Sequence, residues 1–345
     1  AAVALVGPRQ AGKTTLARSL GGAYYDLELE PDRLRLDLEW PSLMDSKHLV
    51  VLDEAQSWPE VFPRMRAAID ERPAHKGRFL VLGSVSPSLM TQVSESLAGR
   101  LSLVQLTPFL TTELGKVPLQ ELWRFGGYPE GGVLNAKRFP RWQRDYLSLL
   151  TQRDLPNWGM PGRPQVVHRL ALMIAAIHGQ VWNASQIGQS LGISYHTVNT
   201  YVDYLEGAFL VRRLPPYQTN LRKRLVKRPK VYWRDSGLLH AFLNVTAADD
   251  ILAKPWIGAS WEGFVIEQVL GALQLRDMYA EPYYFRTSDG YEIDLVLDFG
   301  SSLWAIEIQL TTAPGPSDFN RLEKAANMIG AERRILVSQV QRSQS

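Results

Sequence analysis

The strongest chemical signal stands near the start of the chain: Gly7-Pro8-Arg9-Gln10-Ala11-Gly12-Lys13-Thr14, with Thr15 directly behind it. Glycines at its first and sixth places let the backbone wrap closely round an anion, because no Cβ stands in the way. The N–H groups of the loop, and of the helix it opens, then favour a phosphate. Lys13 reaches the β- and γ-phosphates of a nucleotide, and the Thr14 hydroxyl is suited to ligate Mg²⁺. A second pair, Asp53 and Glu54, follows the four apolar residues Leu49–Leu52. There Asp53 would hold Mg²⁺ through its water shell, and Glu54 would polarise the attacking water. The two groups together predict ATP hydrolysis with Mg²⁺ as well as binding.

For these groups to meet, the elements around them must form a sheet open at one edge. Ala1–Val6, His48–Leu52 and Arg78–Leu82 read as buried strands separated by segments of helix length, with a helix starting near Lys13. Alternating strands and helices predict βαβ units and a parallel sheet, whose ligands bind at the carboxyl ends of the strands. Leu101–Leu106 reads as a further strand. Residues 110–160 look more helical and contain Gly126-Gly127-Tyr128-Pro129, and residues 165–207 follow a helical pattern. The last hundred residues mix an apolar helix, Trp261–Leu273, with strands Glu292–Leu297 and Leu303–Leu310, a turn at Pro314-Gly315-Pro316, and a closing helix and strand.

Five segments resemble a prokaryotic AAA-type ATP-binding family that fuses its ATPase to a C-terminal domain of unknown function. They are Gly7–Thr15, Leu52-Asp53-Glu54-Ala55-Gln56, Gly83–Ser88, Ser96-Leu97-Ala98-Gly99-Arg100 and Tyr232-Trp233-Arg234-Asp235-Ser236-Gly237-Leu238-Leu239. The likeness runs over nearly the whole chain. It implies that Ser84, ending the third strand, senses the γ-phosphate; a plain strand-ending turn is the alternative. It implies that Arg100 serves a neighbouring subunit as an arginine finger, which requires a homo-oligomer; a structural salt bridge is the alternative. Gly126–Pro129 resembles a Gly-x-Pro turn that packs Pro129 on adenine, or is an ordinary loop.

The middle of the chain is basic. Residues 161–245 carry 11 basic and 3 acidic residues, a net of +8, against +1 for residues 1–160 and −6 for residues 246–345. Asn183–Leu205 has the layout of a helix-turn-helix: Ile187 and Leu191 share one helix face, Gly192 permits the turn, Ser194 caps the second helix, and Val198, Val202 and Leu205 form its buried stripe. Its outward face offers Tyr195, His196, Asn199 and Thr200, and Phe209–Leu214 reads as the first strand of a wing. Beyond it, residues 212–230 hold Arg212, Arg213, Arg222, Lys223, Arg224, Lys227, Arg228 and Lys230 with no acid. Such a run predicts a phosphate footprint, with DNA the favoured partner. A protein-contact helix-turn-helix, or a basic face docked on the acidic C-terminal segment, are the alternatives.

In that acidic segment Glu262 lies on the apolar helix, Glu292 and Asp294 on one strand, and Glu307 on the next. By resemblance this is a restriction-endonuclease-like metal site, with Glu262, Asp294 and Glu307 holding Mg²⁺ and a lysine activating water. Gln309 stands where that lysine belongs, and a neutral amide does not stabilise developing negative charge as an ammonium does. A scaffold that no longer cleaves is the alternative.

The fold class is α/β: a P-loop parallel sheet with helices on both faces, then a winged-helix-like domain and a small restriction-endonuclease-like domain. The expected divisions are 1–115 for the AAA-type core, 116–160 for a helical lid or linker, 161–245 for the basic domain and 246–345 for the last. A length of 345 residues and 45% hydrophobic content suit several cores rather than one. The absence of cysteine excludes disulfide scaffolds, thiolate zinc sites and iron–sulfur clusters, and fits a reducing cytoplasm. No apolar run has the length of a membrane span. The opening at Ala1, inside an apolar run, predicts further residues before it. The histidines show no metal-ligand spacing. The function read from these features is an oligomeric, nucleic-acid-associated ATPase, a motor or remodeller. An ATP-dependent signalling switch acting through protein partners and an ATP-gated nuclease are the other readings.

Overall fold

A computed structural model describes residues 2–83, 97–218, 225–245 and 249–340. Cα packing divides the chain into two compact units. The first comprises Ala1–Pro108, Leu155–Met160 and Asp203–Phe209, the second Phe109–Asp154, Pro161–Val202 and Leu210–Ser345.

The first unit is built on β1 (Ala2–Val6), β2 (Ala23–Asp26), β3 (Val50–Asp53), β4 (Phe79–Leu82) and β5 (Leu101–Gln105), in the order β2-β3-β4-β1-β5. Every pairing is parallel. Both β3 and β4 are buried at every position, as strands covered on two faces must be. Because side chains alternate along a strand, Val50, Leu52, Phe79 and Val81 face one core and Val51, Leu80 and Leu82 the other. Helices α1 (Lys13–Ser19), α2 (Glu30–Asp45) and α3 (Val61–Glu71) close these faces. Ala17 of α1 packs on the second core, and Leu36 of α2 with Phe62 and Met65 of α3 on the first. Val61, Phe62, Met65, Ala68 and Ile69 form one buried stripe of α3, and fully burying Phe62 or Met65 contributes roughly 1.5–3 kcal/mol each.

Strand order sets the site. Since β1 and β3 run the same way, the loop after Val6 and the carboxylate of Asp53 open on the same sheet edge. With β4 between them, two strand spacings hold the strand ends about 10 Å apart. That gap is spanned by the first turn of α1.

The second unit holds α4 (Leu119–Phe125), α5 (Arg141–Leu149), α6 (Pro164–Ala176), α7 (Ala184–Leu191) and most of α8 (Tyr195–Gly207). Strands β6 (Gln180–Val181), β7 (Val211–Leu214) and β8 (Lys230–Trp233) form an antiparallel sheet ordered β6-β8-β7. Helices α7 and α8 follow one another with the spacing expected of a helix-turn-helix. Gly192 makes the turn at φ +68°, and the Ser194 hydroxyl accepts the Thr197 N–H at 3.1 Å, capping α8. Val198, Val202 and Leu205 are fully buried.

After α9 (Ser236–Phe242) and α10 (Ile257–Leu275), strands β9 (Glu281–Arg286), β10 (Glu292–Asp298), β11 (Leu303–Ile308) and β12 (Arg333–Val337) form a mixed sheet in the order β12-β11-β10-β9. Helix α11 (Pro316–Ile329) packs Leu322, Ala325 and Ala326 against Phe285, Ile293, Val296 and Ala305. Isolated bridges Pro216–Tyr284 and Leu225–Thr287 join the segment between β7 and β8 to this sheet. The basic and C-terminal parts therefore share one compact unit. Among the described residues, no helix is long and apolar enough to cross a membrane.

Candidate nucleotide site

At the end of β1 the chain turns sharply because Gly7 must approach Leu106. A Cβ there would stand 2.1 Å from the Leu106 carbonyl oxygen. Gly12 adopts φ +101°, and a Cβ added to it would meet nothing within 4 Å, so the loop is open on that side. Pro8 and Ala11 are buried, Arg9 half-buried and Gln10 exposed. Thr14 and Thr15 begin α1, in the turn whose N–H groups have no acceptor within a helix.

Lys13 is 9% exposed, and its ammonium donates to the carbonyls of Gly7 at 2.9 Å and Pro8 at 2.8 Å. Burial lowers its pKa to about 8, against the opposing pull of Glu54 and Asp53. Asp53 collects the rest of the site. Its Oδ2 accepts the Thr14 hydroxyl at 2.8 Å and the Tyr24 hydroxyl at 2.6 Å, and its Oδ1 accepts the Glu54 N–H at 2.9 Å. The predicted companions Lys13, Thr14, Asp53 and Glu54 are thus brought together.

Glu54 stands at φ +46°, a conformation that costs a non-glycine residue on the order of 1 kcal/mol or more. Its carboxylate lies 3.9 Å from the Arg9 guanidinium and accepts a hydrogen bond from the Gln56 amide. Burial raises its pKa above the ordinary glutamate value, toward that of a useful general base.

Tyr24 was not foreseen. It stands on β2 beside β3, where Tyr25 pairs with Leu52 and Asp26 with Asp53, and the Arg18 guanidinium covers its ring at 4.6 Å. The sequence signal was weak: Gly21-Gly22 followed by a four-residue strand rich in tyrosine.

A family model for an AAA domain matches residues 1–115, and models for two domains of unknown function (DUF8612 and DUF4143) match residues 117–249 and 257–345. Uncharacterized proteins of Mycobacterium tuberculosis and Mycobacterium bovis are each 38% identical over 323 residues, covering 91% of this chain and 71% of theirs. The chain belongs to this AAA-type family. A solved structure of a transcriptional regulator is 21% identical and covers 42% of this chain and 93% of its own, with a TM-score of 0.18 that is too low for a comparison of folds. An AAA domain makes this a nucleotide-hydrolysing P-loop protein.

In this AAA-type chain the lowered pKa of Lys13 has a measurable consequence. Phosphate oxygens favour the charged amine, so nucleotide binding above about pH 8 must draw in a proton. Calorimetry at about pH 8.5, in two buffers of different ionisation heat, is expected to show uptake of roughly half a proton or more, with affinity falling as pH rises further. Zero uptake would remove Lys13 as the partner of the phosphates.

The remaining predicted residues fare differently. Ser84 lies outside the described residues. Arg100 is committed within its own chain: its guanidinium forms a two-point pair with Asp70. Its carbonyl accepts the Ala2 N–H at 3.0 Å, at the end of β1 opposite the phosphate loop. In the second unit, Gly126–Pro129 is fastened from within. The Gly127 N–H donates to Asp235 Oδ2 at 2.8 Å, and a Cβ on Gly126 would strike that carboxylate. Asp235 also caps α9 through the Leu238 N–H at 2.8 Å, and a Cβ on Gly237 would fall 1.9 Å from the Phe125 carbonyl oxygen. The Arg-Asp-Ser-Gly motif therefore grips the Gly126-Gly127 turn.

The basic footprint needs correction. Arg212 and Arg234 both pair with Glu267 on α10, a carboxylate whose pKa ends at about 2 because the two guanidiniums outweigh its burial. Lys230, 3% exposed, points into the C-terminal acidic cluster. Its strand carries Lys230 into the interior, and Arg212 is half-buried against Glu267, so both are engaged by carboxylates of their own chain. Arg222, Lys223 and Arg224 lie outside the described residues, and Arg213 is half-buried. Lys227 and Arg228 are exposed, as are Tyr195 and His196, whose rings lie 3.9 Å apart. Asn199 accepts the Trp182 indole N–H at 3.0 Å.

The expected second metal site is also corrected. Among the described residues, no group of three or more His, Asp or Glu side chains is placed to hold a metal ion while the Lys230 amine is present. Glu262 and Asp294 surround the Lys230 amine instead. Burial raises the pKa of Asp294 well above the usual carboxylate value and that of Glu307 to about 7, and their acidic neighbours push both the same way. The Gln309 N–H donates to the Val337 carbonyl at 2.9 Å.

Proposed function

We propose that this chain is a Mg²⁺-dependent ATPase that works on nucleic acid as a homo-oligomer. The observation that carries the reading is Asp53 Oδ2, 2.8 Å from the Thr14 hydroxyl, with Lys13 buried in the loop beside it. That donor set fits a triphosphate with Mg²⁺: a hydroxyl and a carboxylate for the ion, and an ammonium with a loop open at Gly12 for the phosphates. Mg²⁺, when bound, draws charge from the β- and γ-phosphate oxygens. Lys13 holds those oxygens in place. Tyr24 fixes the Asp53 carboxylate from the neighbouring strand. Glu54 takes the proton of the attacking water, a role its raised pKa suits.

Nucleic-acid association draws support from the helix-turn-helix layout, from the exposed Tyr195 and His196 at the start of α8, and from Lys227 and Arg228. The nuclease reading loses support because Lys230 lies among the carboxylates. The test is the ATPase rate of the full chain with and without single-stranded, duplex and branched DNA, paired with mass measurement in ATP. A DNA-stimulated rate and an ATP-dependent rise in mass are expected. Lys227→Glu/Arg228→Glu should weaken DNA binding and flatten its salt dependence by about two units of slope. Slow turnover with ATP-dependent assembly but no DNA response would favour the signalling switch. Failure to bind adenine nucleotide would end the ATPase reading itself.

A further inference from the structure

The second unit gathers three carboxylates from two elements round one amine. Lys230 is the first residue of β8, a strand buried at all four positions, and its side chain is 4% exposed. The amine nitrogen lies 2.9 Å from Glu262 Oε1 on α10, 2.7 Å from Glu292 Oε1 and 3.7 Å from Asp294 Oδ1, the last two on β10. The acids are themselves fixed. The Tyr232 hydroxyl donates to Glu262 Oε1, and the Ile308 N–H donates to Asp294 Oδ2 at 2.9 Å. Glu307, on β11, keeps one buried carboxyl oxygen without a hydrogen-bond partner.

We infer that Lys230 is the resident cation of this cluster, and that its ammonium closes the cluster to divalent metal ions in the wild-type chain. Three carboxylates gathered in a largely buried place require a positive charge, because they repel one another and each has lost part of its water. The amine occupies one oxygen each of Glu262, Glu292 and Asp294, so a divalent ion seated at those oxygens would have to displace it. The ammonium has the advantage of being tethered, so it is present at high effective concentration and sheds its water once, on folding. The two nearest oxygens lie 2.7–2.9 Å from the nitrogen, the range of a charge-assisted hydrogen bond. Glu267, also on α10, is satisfied separately by Arg212 and Arg234, and Arg286 reaches only the other oxygen of Glu292 at 3.7 Å, so Lys230 is the cation that Glu262, Glu292 and Asp294 share. The inference does not depend on the nucleotide site.

Removing the amine should therefore expose a metal site. The experiment counts Mn²⁺ bound by the nucleotide-free full chain, followed by electron paramagnetic resonance. It compares wild type, Asp294→Asn, Lys230→Met and Lys230→Met/Asp294→Asn, with folding checked by circular dichroism. Wild type and Asp294→Asn are expected to bind equal amounts. Lys230→Met should bind one additional Mn²⁺ per chain, and the double variant should lose that gain. A folded Lys230→Met that takes up no extra Mn²⁺ overturns the inference. So does a wild-type chain that loses a bound Mn²⁺ on Asp294→Asn, a comparison that decides the matter even if Lys230→Met fails to fold.

Discussion

Glu54→Gln is expected to lower ATP turnover by about 10²–10⁴-fold while leaving nucleotide binding in place. The glutamine keeps the size of the side chain and its place beside Gln56 and Arg9, and it loses the negative charge and with it the capacity to take a proton. Lys13→Ala should behave differently. It removes the buried ammonium that the loop carbonyls hold, so binding and turnover fall together. Measuring nucleotide affinity and single-turnover rate for both variants separates the two roles. A Glu54→Gln rate within tenfold of wild type would take the proton-transfer role away from Glu54, and an unchanged affinity in Lys13→Ala would mean the phosphates sit elsewhere.

The second large effect is acid sensitivity in the second unit. His178 and His240 are buried as neutral rings, each with one nitrogen donating and the other accepting. The Trp233 N–H donates to His178 Nδ1 at 3.0 Å, which leaves Nε2–H facing the Ala259 carbonyl at 3.1 Å. His240 faces the Arg124 carbonyl through Nδ1 at 2.9 Å and the Ser260 hydroxyl through Nε2 at 2.7 Å, and that hydroxyl also accepts the Trp123 indole N–H. Burial lowers the pKa of His178 to about 3 and that of His240 to about 4. As the unfolded chain protonates below about pH 6.5 and the folded rings do not, stability contributed by these rings falls with pH through that window.

Asp235, raised by burial to about 6, and Glu307 act in the opposite sense, so the whole-protein slope is a balance. A variant isolates the histidine. Against His178→Gln, whose amide can accept and donate but does not titrate, the wild type should lose about 1.4 kcal/mol of relative stability per pH unit below 6.5. Denaturation curves at several pH values between 7.5 and 4.5 measure this difference, with roughly 3 kcal/mol accumulated at the acid end. Parallel curves for the two proteins would show that the ring takes up its proton as readily in the folded chain as in the unfolded one.

What the sequence disclosed depended on how local the signal was. The phosphate loop, α1 and the Asp53 strand are short patterns in which apolar runs meet glycine or acid, and each falls where it was read. The neighbourhood of Thr14 and Asp53 was also legible, because parallel strands bring their carboxyl ends to one edge. Tyr24 was not, since nothing in Ala23-Tyr24-Tyr25-Asp26 says which strand lies beside it. The basic residues misled for a related reason. Lys230 and Arg212 look like members of one charged run. Yet Lys230 leads into Val231-Tyr232-Trp233, a strand buried throughout, and Arg212 lies on a strand anchored by the buried Val211 and Leu214, where it is half-buried. Their partners, Glu267 and Glu262, lie far along the chain in the segment with the opposite net charge. Gly126–Pro129 posed the same problem: its fastener, Asp235, is remote in sequence.

The backbone of Glu54 carries a consequence for how this chain can change. At φ +46° a glycine would sit without strain, and glutamate does not. Selection for heat resistance alone would therefore favour glycine at this position, and the same replacement would remove the carboxylate to which we assign the proton of the attacking water. Durability and chemistry pull against each other at a single residue, and the chain keeps the less comfortable one.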